Sequence, residues 1–166
     1  MQTTYKFLGS LLVAAALLGC DPQRVEKLEE GVSTEVEVRQ QFGDPVTVTV
    51  SPDGTRTMDY PRQPEGWTNY VIQIGPDGKM SSLRQLLNPD NFAKVKPGLG
   101  QQDVRNLLGR PAKTTPYALK NEEVWDWRFK HNGQESKLFS VTFDSSGKVV
   151  STATADDPRE TMSGTR

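Results

Sequence analysis

Apolar residues recur at two spacings along this chain. In "PVTVTVS" they fall at every second position, which sets Val46, Val48 and Val50 on one face of a strand. "VWDWRF" aligns Trp125, Trp127 and Phe129 in the same way. "LFSVTFDSSGKVV" turns Phe139, Val141 and Phe143 inward and Ser140 and Thr142 outward before a glycine turn and a return strand. Such alternation predicts antiparallel sheets with one buried face. Helical spacing joins Val104 to Leu107 and Leu108, and Val38 to Phe42; Phe92 and Val95 predict a short helix stopped at Pro97-Gly98.

The pattern is written twice. "VRQQFGDP" (38–45) returns as "VRNLLGRP" (104–111), 66 residues later. "RVEKLEEG" (24–31) precedes the first copy and "NFAKVKPG" (91–98) the second. Asp59-Tyr60 corresponds to Asp126-Trp127, and "YVIQIGPDGK" (70–79) to "FSVTFDSSGK" (139–148), where the offset has drifted to 69. Thr34 with Glu37 spells a capping box before the first motif helix; Gly100 and Asp103 stand at those places in the second. Gly43 and Gly109 fit the residue that ends a helix, and Pro45 and Pro111 prevent its continuation. The expectation is an α+β protein of two tandem α-α-β-β-β-β modules, with short helices on one face of each antiparallel sheet. The expected limits are a signal segment at 1–19, module one at 20–87, module two at 88–155 and a polar, disordered tail at 156–166.

The N-terminus departs from this pattern. Lys6 precedes an apolar run from Phe7 to Leu18, of signal-peptide length and too short to span a bilayer. It ends in "LLGC", which resembles a bacterial lipobox. Cys20, the sole cysteine, is then the expected lipidation site, and acyl chains such as palmitate would anchor the chain. Removing the leader leaves 19 basic residues against 21 acidic ones, with no basic block that would suggest nucleic acid.

Candidate chemistry is sparse. His131 stands in the turn-like "FKHNGQES" without a cysteine or carboxylate at ligand spacing. No nucleophile elbow, zinc-protease or phosphate-loop motif is present. Asp59 and Asp126 occupy matched strand positions, where a hydrolase pair is conceivable, but outward-facing polarity on a half-buried strand is the expectation. The expectation is no enzyme, no cofactor, no metal and no small-molecule substrate. "PRQPEGWTNY" and "TTPYALKNEE" place Trp67 and Tyr117 in proline-bearing loops, either as partner contacts or as caps on their own modules' cores.

The lipobox, "NFAKVKPG", "GLGQQDVRNLLGRP", "VWDWRF" and "LFSVTFDSSGKV" together resemble the SmpA/OmlA/BamE family of outer-membrane assembly lipoproteins. The likeness covers about 60 residues of module two and extends more weakly to module one. It implies a non-enzymatic, periplasm-facing accessory scaffold in β-barrel protein assembly and envelope integrity. Its implied partners are subunits of the β-barrel assembly machine, and its implied partner-binding positions are Gly109, Pro111, Pro116 and Tyr117. Two departures stand beside it. Family members carry one such domain, whereas this chain repeats it, as the secreted β-lactamase inhibitor proteins do in architecture; a lipid-anchored binding or inhibitor module is therefore the alternative function. Asp21, directly after the acylated cysteine, matches an inner-membrane retention signal, so the inner membrane is the alternative to the outer.

Overall fold

The computed structural model describes residues 21–163. Cys20 and the leader lie outside the described residues, as do 164–166. Two four-stranded antiparallel sheets form, each a simple meander with its strands in chain order. The N-terminal half runs α1 (Asp21–Val25), α2 (Glu35–Phe42), β1 (Thr47–Val50), β2 (Arg56–Pro61), β3 (Asn69–Ile74) and β4 (Met80–Gln85). The C-terminal half runs α3 (Pro89–Lys94), α4 (Gln101–Leu108), β5 (Lys113–Tyr117), β6 (Glu122–His131), β7 (Glu135–Phe143) and β8 (Val149–Asp156). A last helix, α5, follows at Pro158–Ser163.

Equivalent residues make equivalent bonds in the two halves. The N–H of Gly43 donates to Arg39 and that of Gly109 to Arg105, both at 2.8 Å. Both glycines have positive φ, +80° and +73°, which an L side chain rarely adopts. Isolated bridges tie Thr34 to Lys79 and Gly100 to Lys148, so each motif helix starts beside the last hairpin of its sheet. That hairpin is irregular at Gln73/Ile74 in one sheet and at Thr142/Phe143 in the other. Thr34 Oγ1 accepts from the Glu37 N–H, and Glu37 accepts from the Thr34 N–H, so two free helix-start donors are satisfied at once. Gly100 has no side chain and makes only half of that arrangement, its N–H donating to Asp103 at 3.0 Å.

The cores follow the alternation. Trp125, Trp127 and Phe129 pack with Phe139, Val141 and Phe143 beneath Val104 and Leu108. Phe92 of α3 stacks on Phe139 with ring centroids 4.3 Å apart. In the N-terminal half, Met58, Tyr60, Ile72 and Ile74 pack beneath Val38 and Phe42. Each such side chain contributes roughly 1.5–3 kcal/mol when fully buried. Glu35 ties α2 to β2: burial alone would raise its carboxyl, but bonds from Arg39 and Arg56 outweigh that and hold it below the usual range.

Two expectations differ from the structure. Val46, Val48 and Val50 alternate as expected, yet they are 65%, 40% and 64% exposed. Val48 pairs with the fully buried Met58 and so points to the core side, but β1 is an edge strand and α2 covers the sheet's centre. The polar tail is ordered at least as far as Ser163. β8 continues to Asp156, and Asp157 is buried in an ion pair with Arg128, which fixes the start of α5.

Candidate partner-binding surfaces

The halves meet through polar contacts that need their backbones close together. Asn69, at the start of β3, donates from one amide nitrogen to the carbonyl of Leu108 (2.7 Å), which the end of α4 leaves free, and to that of Arg110 (2.9 Å) just beyond it. Gly109 lies between these acceptors, and a Cβ there would stand 3.0 Å from the Asn69 amide nitrogen. Its carbonyl accepts from the Trp127 indole at 3.2 Å. Gly109 is therefore required by the helix end, by the joint between halves and by the aromatic strand together.

A second contact lies where β5 stops. β5 pairs with β6 only as far as Asp126, so Arg128 would have an open backbone edge. The Gln63 side-chain amide occupies it, donating to the Arg128 carbonyl at 2.8 Å and accepting from the Arg128 N–H at 3.2 Å. A side-chain amide thus takes the place of a neighbouring strand. The Arg128 guanidinium bonds Asp157 and the carbonyls of Pro64 and Glu65. Both charges are nearly sealed from solvent, at 8% and 2% side-chain exposure. Trp67 caps neither its own core nor an open surface. Arg128 and Lys130 of the other half lie 5.4 and 4.3 Å from its ring centroid, so the loop 62–68 clasps the C-terminal half.

Between the first sheet and α4 lies a cleft of about 530 Å³. Thr47, Thr49, Thr57 and Asp59 line its sheet side; Gln102, Arg105, Asn106 and Arg110 line the opposite wall. Burial raises the Asp59 carboxyl above its ordinary range. Its counterpart Asp126 instead accepts a 2.6 Å hydrogen bond from Ser140. The two aspartates thus serve separate sheets and form no pair. His131 is exposed at the end of β6. Among the described residues no group of three or more His, Cys, Asp or Glu side chains could hold a metal ion.

The positions singled out at the second G-x-P turn separate into two kinds. Pro111 is buried and offers no surface. Pro116 and Tyr117 are exposed, and they lie within β5 opposite Glu123 and Glu122 rather than in a loop. Beyond them a short 3-10 turn at Ala118–Lys120 leaves Leu119 wholly exposed. Gln63, Asn69, Arg128 and Asp157 carry the joint, and none stood out in the sequence. Alternation could place Arg128 on the outer face of its strand, but no local pattern identifies what an outward arginine meets.

Residues 85–153 match the family model described as the outer membrane protein assembly factor BamE domain. The matched segment spans α3 through most of β8. No curated protein matches the chain. Solved structures similar to it include a putative osmotically inducible lipoprotein OsmE, 24% identical over 49% of this chain and 93% of that one, with a TM-score of 0.38. A DUF4309 family protein, YjgB, from Bacillus subtilis is 16% identical, covering 82% of this chain and 86% of that one, at a TM-score of 0.34. A putative β-lactamase inhibitor protein from Streptococcus mutans is 13% identical, covering 82% and 95%, also at 0.34.

Proposed function

We propose, with residues 85–153 as a BamE-family domain for the premise, that this protein is a non-enzymatic envelope lipoprotein acting as an accessory scaffold in outer-membrane β-barrel assembly. The family match over the C-terminal half is the observation that carries the reading. The anchor is acylated Cys20, and the destination is the periplasmic side of the outer membrane. No helix among the described residues is long and apolar enough to cross a membrane. Only a few residues, each reaching at most ~3.5 Å, separate Cys20 from Val25, which packs on the first core, so this tether is too short to span the periplasm. The N-terminal half, at 20–87, is a second copy of the same plan, which gives the family domain a companion.

The partner-facing surface is the exposed end of β5. Tyr117 is 49% exposed there, beside Pro116 and the fully exposed Leu119. An aromatic held by a strand supplies contact area with little further loss of freedom on binding. Gly109 and Pro111 act behind it by setting the turn that aims β5. The test is affinity capture of the detergent-extracted protein. Subunits of the barrel-assembly machine should co-purify with the wild type, and markedly less with Tyr117→Ala. Recovery of an unrelated periplasmic protein in their place would support a second reading, a lipid-anchored binding or inhibitor module, which the cleft between the halves favours. The same extract should sediment with outer-membrane markers on a sucrose gradient; inner-membrane sedimentation would make Asp21 decisive and remove the assembly role.

A further inference from the structure

The first strands of the two sheets, each at one edge, begin from equivalent turns and are finished differently. β5 carries Lys113 and Pro116 and runs into a 3-10 turn, features that blunt a sheet edge against further pairing. β1 has none of them. Val46 to Val50 read valine-threonine-valine-threonine-valine, without charge or proline, and all five are exposed. Its inner side pairs with β2, and among the described residues no strand pairs with its outer side. Unused N–H and C=O groups on an edge without charge are a template for one more strand.

What would fit is set by the two faces of β1. Val48 shares the core face with Met58, and Val50 lies on that face two residues on, so a strand laid beside them would need apolar side chains there. Thr47 and Thr49 share the opposite face with Asp59 and Thr57, and that face forms one side of the cleft. Across the cleft stand Arg110 and Arg105, the latter with its guanidinium 4.9 Å from the Trp125 ring centroid, against Asp59 as the one acidic lining residue. A second copy of this chain pairing through its own β1 would bring only threonine hydroxyls, and no carboxylate, to this wall.

We propose that the outer edge of β1 takes an extended segment of another protein as a fifth strand, with apolar side chains beside Val48 and Val50 alternating with carboxylates aimed at Arg105 and Arg110. The inference deepens the assembly reading above and rests on it for its biological sense, because a barrel precursor presents unpaired strands of alternating polarity. Its physical basis is independent of that reading. Main-chain bonds to β1 would supply affinity, and the arginine wall would select the acidic register over its neighbour.

The probe is a short capped peptide alternating valine with glutamate, added to the detergent-extracted protein and followed by amide hydrogen exchange. Exchange across residues 46–51 should slow by about tenfold, with little change in β5. Val48→Lys, which adds a charge at an already exposed edge position, should weaken binding by about tenfold while the melting temperature holds. Arg110→Glu should transfer the preference to a peptide alternating valine with lysine. No added protection at 46–51, equal protection by both peptides, or protection that rises with protein concentration alone would each overturn the proposal, the last in favour of self-pairing. If Val48→Lys still captures the barrel-assembly subunits while the peptide fails, this inference falls and the assembly role stands; loss of those subunits from the wild type removes the assembly role without touching the peptide result.

Discussion

The N-terminal half closes its sheet with four exposed residues, whereas the C-terminal half closes its own with a strand that carries a lysine and a proline and turns away. Their interiors differ in the same sense. Met58, Tyr60 and Ile72 stand where Trp125, Trp127 and Val141 stand in the other half, so two indoles fill the second core where methionine and tyrosine fill the first. Both halves end their motif helix on a glycine with positive φ. Two halves with the same order of elements can thus share helix ends and hairpins, which backbone geometry requires, while differing in edge chemistry and core volume. The family match falls on the half with the larger aromatics and the blunted edge.

The largest effect should come from Trp127, which is fully buried and bonded to the Gly109 carbonyl. Trp127→Ala should cost about 3–5 kcal/mol in urea unfolding. If the two halves unfold together, the loss will appear in one transition; two transitions would show that the joint does not couple them. Breaking the buried pair comes next. Arg128→Ala leaves the buried Asp157 without its ion-pair partner, and should cost about 3 kcal/mol and free the loop 62–68 to proteolysis. No loss of protection at Trp67 would show that the clasp is not held by this arginine. Asn69→Ala removes two bonds to carbonyls at and just beyond the end of α4 and should cost about 2 kcal/mol, read as a lower unfolding midpoint. Thr34→Ala should cost about 1 kcal/mol through the lost cap. Asp103→Ala, which removes the single capping bond of the second helix start, should cost less, and a cost as large as that of Thr34→Ala would contradict the difference between the two helix starts.

Asp59 gives the smallest effect and tests the two aspartates against each other. Burial raises its folded-state pKa above the unfolded value, so the folded state holds the proton more tightly. Stability is then favoured at low pH and falls as pH rises from about 4, the ordinary carboxylate value, through the raised one. Asp59→Asn should therefore raise the melting temperature slightly at neutral pH and leave it unchanged in acid. A loss at neutral pH would mean that the charged form has a partner in the cleft.

Much of the fold was legible because its signals are local. Alternation over 139–143 and 125–129, the glycine-proline helix ends and the Thr34–Glu37 cap each depend on neighbours within a few residues, and the structure keeps them. Position within a sheet is not local. Nothing in "VTVTV" distinguishes a central strand from an outer one, so Val46, Val48 and Val50 read as core and stand exposed. The tail misled for a related reason: Asp157 reads as one more polar residue until Arg128 reaches it from 29 positions away. Trp67 was equally illegible, since the cations that cover it belong to the other half. Tyr117 stood out in its proline-bearing segment and again through family likeness, and the structure places it, exposed, on the edge strand β5.

The most direct measurement places a photo-crosslinking residue at Tyr117 in one variant and at Val48 in another, and identifies what each captures in the intact envelope. The account predicts that the Tyr117 position yields subunits of the barrel-assembly machine, while the Val48 position yields extended client polypeptide and none of those subunits. A single unrelated periplasmic protein recovered from both positions, with no assembly subunit from either, would contradict it.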